Sequence, residues 1–129
     1  MATYLDSSAI VKLAVLESES QALRRYLRRR QPLVSSALAR TEVVRALLHA
    51  GDEAVARGRA VLERLDLVRV TDRILNAAAL LQPSDLRSLD AIHLATAHEL
   101  GDQLHALITY DERMITAARR LRYKTVQPR

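Results

Sequence analysis

Two hydrophobic spacings alternate along this chain. Thr3-Tyr4-Leu5 is a short apolar run ending at Asp6-Ser7-Ser8. Ala9, Ile10, Leu13, Ala14 and Leu16 then recur at helical spacing, so a strand passes directly into a helix with Asp6 or Ser7 as its cap. A second helix is predicted from Ser18 to Arg30. Pro32 ends it, and Leu33-Val34-Ser35-Ser36 reads as a second strand. From Leu38 to Ala50 a third helix groups Ala39, Val43, Ala46, Leu47 and Ala50 on one face, with Glu42 on its shoulder, and Gly51 stops it. A fourth helix from Asp52 to Arg64 turns Ala54, Val55, Val61 and Leu62 inward. Leu65 to Val70 then alternates as a strand. Thr71 or Asp72 caps a helix through Ile74, Leu75, Ala78 and Leu81, which gives way to a turn at Pro83-Ser84-Asp85.

Ser88 to Ala97 is apolar almost all the way round and is therefore expected to be buried. Asp90 falls on the same side as Leu94 and Ala97, where a charge is costly unless it is paired, metal-bound or supported by the helix N-terminus. Gly101 closes this helix. Ala106 to Tyr110 is the fourth strand, and Asp111 at its carboxyl end repeats the opening pattern. Met114, Ala117, Ala118 and Leu121 mark a last helix, after which Lys124-Thr125-Val126 can add an edge strand. The unbroken alternation predicts an α/β layer fold with Thr3 to Leu5 as the central strand of a mostly parallel sheet. Asp6 then stands at the rim where ligands bind in such sheets.

Composition narrows the picture. The length of 129 residues suits one domain over 1–129, burying roughly 68% of the surface its unfolded chain exposes. There is no cysteine, so no disulfide and no thiolate metal site, in keeping with a reducing cytoplasm. Neither a secretory signal nor a membrane span is expected. A net charge of +5 and a pI near 10.2 point to phosphate-bearing partners. With aromatics at 3%, in the form of four tyrosines, a nucleic acid would be held by its backbone and not by base stacking. Arg24, Arg25, Arg28, Arg29 and Arg30 on the second helix are either a solvated face or a site of RNA backbone contact.

Taken singly, each acidic residue has a plain structural explanation. Asp6 and Asp111 can cap helices, Asp90 can rest on its helix dipole, and Glu42 can pair with Arg45 at i+3. Together they sit at two strand ends and on two helices beside one crevice. Crowded carboxylates repel unless a cation is present, and hard cations such as Mg²⁺ or Mn²⁺ take oxygen ligands. One or two such ions can activate water against a phosphodiester. The histidines offer no rival ligand pair, because His93 and His98 are five apart and point to different faces. His93 is expected to pack or hydrogen-bond beside its helix. Signatures of nucleophilic serine and nucleotide-cradling chemistry are absent. Two other functions remain open: a phospho-accepting receiver module, with Asp72 as the acceptor after the third strand, and a non-catalytic RNA- or partner-binding domain.

Leu5-Asp6-Ser7-Ser8-Ala9-Ile10-Val11-Lys12-Leu13, Ala39-Arg40-Thr41-Glu42-Val43, Leu86 to Ala95 around Asp90, and Ile108-Thr109-Tyr110-Asp111 resemble, in order and spacing, the acidic motifs of PIN-domain ribonucleases. Within that family the resemblance is to the VapC-like toxins of bacterial toxin-antitoxin pairs, and it spans the chain. It implies a PIN-like three-layer fold with a four- or five-stranded sheet flanked by helices, and a cytoplasmic endoribonuclease dependent on Mg²⁺ or Mn²⁺. It also implies a homodimer, a VapB-like antitoxin that covers the acidic groove, and an RNA substrate such as tRNA or another structured RNA. Asp6, Glu42, Asp90 and Asp111 match the family's metal-binding carboxylates. Thr109 and Ser7 match positions that orient water or the site.

Overall fold

The computed structural model describes residues 1–129. Strand β1 (Ala2–Leu5) leads through Asp6 into α1 (Ser7–Ala14), and α2 (Ser20–Leu27) precedes β2 (Leu33–Ser36). Next come α3 (Ala39–Leu47), α4 (Asp52–Glu63) and β3 (Asp66–Val68). They are followed by α5 (Asp72–Ala79), α6 (Ser88–Glu99), β4 (Leu104–Ile108), α7 (Glu112–Arg120) and β5 (Thr125–Val126). All pairings are parallel, and the strand order is β3-β2-β1-β4-β5, which puts β1 at the centre. Leu5 pairs with Ile108 across the β1–β4 junction, where the strand order reverses and side chains at the carboxyl ends face an open crevice.

Every residue of β1 is buried because helices cover both sheet faces. Leu5 and Ile108 join Ile10, Leu23, Val43, Leu47 and Leu62 on one side. Tyr4 and Leu107 join Leu94, Ala97, Met114 and Ala118 on the other. Close packing of α3 on α4 depends on Gly58, where an added Cβ would lie 2.5 Å from Leu47 Cδ1. No helix is long and apolar enough to cross a membrane.

Several expected boundaries move. The second helix ends at Leu27, so Arg28 to Arg30 lie beyond it. The third gives way to a 3₁₀ turn, Leu48–Ala50, which takes Ala50 off the apolar face, and Ala46 faces solvent. Leu16 follows the end of α1 and is exposed. The strand order also removes the receiver-module alternative. In that topology the third strand lies beside the first, whereas here β2 separates them, so Asp72 follows a strand that is not adjacent to the one ending at Asp6.

Candidate active site

Asp6 ends β1 and caps α1. Its Oδ1 accepts from the Ala9 N–H at 3.0 Å and from Ser8 Oγ at 2.6 Å, while Oδ2 accepts from the Thr109 hydroxyl. The residue is 4% exposed. Burial pushes its carboxyl up from the ordinary range, and the Ser8, Thr109, His93 and Ala9 interactions oppose that shift. Thr109 is fully buried. Besides donating to Asp6, it accepts the Asp111 N–H at 3.1 Å, so one hydroxyl ties the end of β4 to both aspartates.

Glu42, in the first turn of α3, reaches His93 and not Arg45. Its Oε1 lies 2.6 Å from His93 Nε2 and 2.7 Å from Ser7 Oγ. A carboxylate only accepts, so the Nε2 proton points at Glu42. Nδ1 is then left to accept from the Tyr4 hydroxyl at 2.7 Å. Burial pushes the Tyr4 hydroxyl far up, which keeps it a donor. The result is a buried Tyr4–His93–Glu42 relay with a fixed tautomer. Burial raises Glu42, but the His93 and Ser7 interactions outweigh it and hold its carboxyl below the usual range. Ala46 lines the open cleft of about 540 Å³ in which Ser7, Ser8, Glu42 and Asp111 also lie, and Ala39 is core.

Asp90 and Asp111 are held differently. Asp111 caps α7 through Oδ1, which accepts the Arg113 N–H at 2.9 Å. Its Oδ2 accepts from Arg87 Nη2 at 2.8 Å, while Arg87 Nε meets Asp90 Oδ2 at 3.3 Å. Burial raises the Asp90 carboxyl, Arg87 lowers it, and the neighbouring Asp111 raises it again.

The four acids therefore share one rim as two pairs. No group of three or more His, Cys, Asp or Glu side chains converges to enclose an ion. Mg²⁺ does not need such a cage, since it is usually held by one or two carboxylates and keeps several waters. Asp90 and Asp111 already share one cation, the Arg87 guanidinium, and as an all-oxygen donor pair they suit a hydrated divalent ion.

Arg24 and Arg28 do not reach this rim. They flank Leu33 and Leu65, at the amino ends of β2 and β3, and Arg29 lies with Thr3 and His105 at the amino ends of β1 and β4. Arg25 is exposed on the same helix. A groove of similar size lined by Arg40, Val44, Arg45, Leu62 and Leu67 contains none of the four acids.

Sequence reasoning missed Arg87 and the site role of His93. A signal for His93 was available, because it follows Asp90 by three residues and so shares its helix face.

A model of the PIN domain matches residues 3–120. Ribonuclease VapC46 of Mycobacterium tuberculosis (strain ATCC 25618 / H37Rv) is 61% identical over 127 residues, covering 98% of this chain and 98% of its own. Ribonuclease VapC47 of M. tuberculosis (strain CDC 1551 / Oshkosh) is 35% identical over 130 residues, covering 97% and 96%. Among solved structures, M. tuberculosis VapC20, a Sarcin-Ricin loop cleaving toxin, superposes with a TM-score of 0.79 at 18% identity, covering 98% of this chain and 99% of that one. A toxin-antitoxin complex from Klebsiella pneumoniae gives 0.70 at 23% identity, covering 98% of each chain. At these identities the two structures establish the shared fold.

Proposed function

The chain belongs to the PIN-domain family as a VapC-like member, and from that premise we propose that it is an endoribonuclease toxin that hydrolyses RNA phosphodiester bonds with Mg²⁺ or Mn²⁺. The observation that carries the proposal is the gathering of Asp6, Glu42, Asp90 and Asp111 at the β1–β4 switch point, where one pair already holds a cation. These four residues would hold the ion or ions. When bound, the metal supplies Lewis-acid activation of a water and neutralises charge developing on the scissile phosphate.

The chain's own residues do the positioning. Ser8 and Thr109 fix both oxygens of Asp6, and Ser7 and His93 fix one oxygen of Glu42, so these carboxylates are oriented before anything binds. The net charge of +5 draws RNA to the surface. The arginines around α2 enter only as a distant second contact for a large structured RNA. The likeness to ribonuclease VapC proteins and to a chain of a toxin-antitoxin complex supports the reading of a toxin with an antitoxin partner; we extend it to a VapB-like antitoxin, a cytoplasmic setting and a homodimer of single PIN-like domains.

Purified protein given structured RNA, tRNA included, is expected to cut it with Mg²⁺ or Mn²⁺ and not in excess EDTA. Undiminished cutting in EDTA would remove the metal mechanism. RNA binding with no cutting under either ion would favour a non-catalytic RNA-binding domain of the same fold.

A further inference from the structure

Arg87 is the residue just before α6. Its backbone is extended, and its side chain folds back onto the first turn of the helix and across to the start of α7. One guanidinium thereby gives separate N–H groups to two carboxylates on different elements. The bridge has a graded exposure, with the Arg87 side chain 59% exposed against 14% for Asp90 and 27% for Asp111. The acids form the walls and the arginine is the exposed plug. Asp6 and Glu42 share no such cation, since their oxygens are held by hydroxyls, a backbone N–H and His93.

We propose that Arg87 is the resident cation of the Asp90–Asp111 pair and that a divalent metal loads by exchanging with it. The inference builds on the metal-dependent reading above and concerns how that site is filled. Two facing carboxylates repel when bare, so the metal-free protein keeps them together with a charge of its own. A guanidinium stays protonated at any working pH, so the exchange does not require Arg87 to lose its proton. Solvent-exposed ion pairs are weak, and the plug is therefore displaceable where a buried one would not be. Occupancy by Arg87 raises the metal concentration needed to fill the site.

Calorimetric titration of Mn²⁺ into the intact protein, without RNA, tests the exchange. Arg87→Gln is expected to bind Mn²⁺ roughly three- to tenfold tighter than wild type. Arg113→Gln removes a charge two residues from Asp111 whose guanidinium holds neither carboxylate, and it should shift the affinity by less than about twofold. The Arg87→Gln melting temperature in EDTA should fall below wild type and rise more steeply on adding Mn²⁺. Unchanged or weaker Mn²⁺ binding by Arg87→Gln, or equal tightening by both variants, overturns the exchange while leaving the metal reading standing. A wild-type chain that binds no Mn²⁺ removes both.

Discussion

Asp6 and Glu42 on one side of the rim, and Asp90 and Asp111 on the other, bring the same functional group into very different surroundings. The first pair is enclosed by uncharged donors and an imidazole that packing holds in place: Ser7, Ser8, Thr109 and His93, the last braced by Tyr4. The second pair is about as exposed as Glu42, but its oxygens meet a charged partner, one arginine whose side chain is itself 59% exposed. The contrast separates two tasks that a hydrolytic site has to perform. Orientation needs rigid, desolvated partners whose hydrogen bonds are strong, whereas exchange of a cation needs partners that can be given up cheaply.

The largest expected effect comes from losing a carboxylate on either side. Asp6→Asn and Asp90→Asn should each lower RNA cleavage by more than about a hundredfold, beyond the usual effect of a supporting partner, with an unchanged circular dichroism spectrum. If either variant cuts at the wild-type rate, that carboxylate is a helix cap and nothing more.

The rigid side is tested next through its supports. His93→Phe removes the donor to Glu42 and strands the Tyr4 hydroxyl, so kcat/KM should fall about 10- to 100-fold and stability by about 1–3 kcal/mol in urea unfolding. His93→Gln, which keeps an amide N–H, should recover part of the activity. No loss in His93→Phe would mean that Glu42 orients itself. Thr109→Val keeps shape but takes the donor from Asp6 and the acceptor from the Asp111 N–H. About 1–3 kcal/mol of stability should go, with a smaller drop in cleavage than for His93→Phe.

The smallest effect belongs to a second cation near the cleft, Lys12, which differs from Arg87 in having acidic partners of its own. It meets Glu19 at 3.0 Å and Glu17 at 3.5 Å and lies over the Tyr110 ring. The hydrogen bond from Lys12 holds the Glu19 carboxyl down at about 2, against an unfolded value near 4.3. A depressed carboxyl adds stability that is complete above the unfolded value and disappears as the pH falls through the folded one. Between pH 5 and 2 the wild-type urea midpoint should therefore fall slightly more than that of Glu19→Gln. Parallel curves would show that Lys12 is indifferent to this partner.

The central strand, the buried sixth helix, Asp6 and Asp111 at strand ends and a mostly parallel sheet were legible in the sequence, because each shows itself through local spacing, while the count of four or five strands came with the family resemblance. For Glu42 the plain structural alternative was the one that did not hold. Its neighbours within the helix suggested Arg45, yet its partner is His93, 51 residues further along, and the meeting exists only because α3 and α6 flank the same crevice. His93 was compared with His98 along one helix, whereas its chemistry lies across the sheet. Arg87 escaped notice because a single exposed arginine has no period. It becomes informative only when two carboxylates are seen on either side of it. The run from Arg24 to Arg30 was conspicuous in the sequence but stands at the opposite end of the sheet.

The register that pairs Leu5 with Ile108 also sets the order in which the molecule can come together. The central strand is among the first segments to leave the ribosome, but its β4 neighbour is made about a hundred residues later. A loop of that length must close before the sheet is complete, and such non-local pairings are slow. Thr109 and Asp111 follow β4 directly, so any chain interrupted before it lacks one of the four acids and the hydroxyl that ties Asp6 to the Asp111 backbone. Whatever damage this site can do to RNA is thus deferred until synthesis is almost finished.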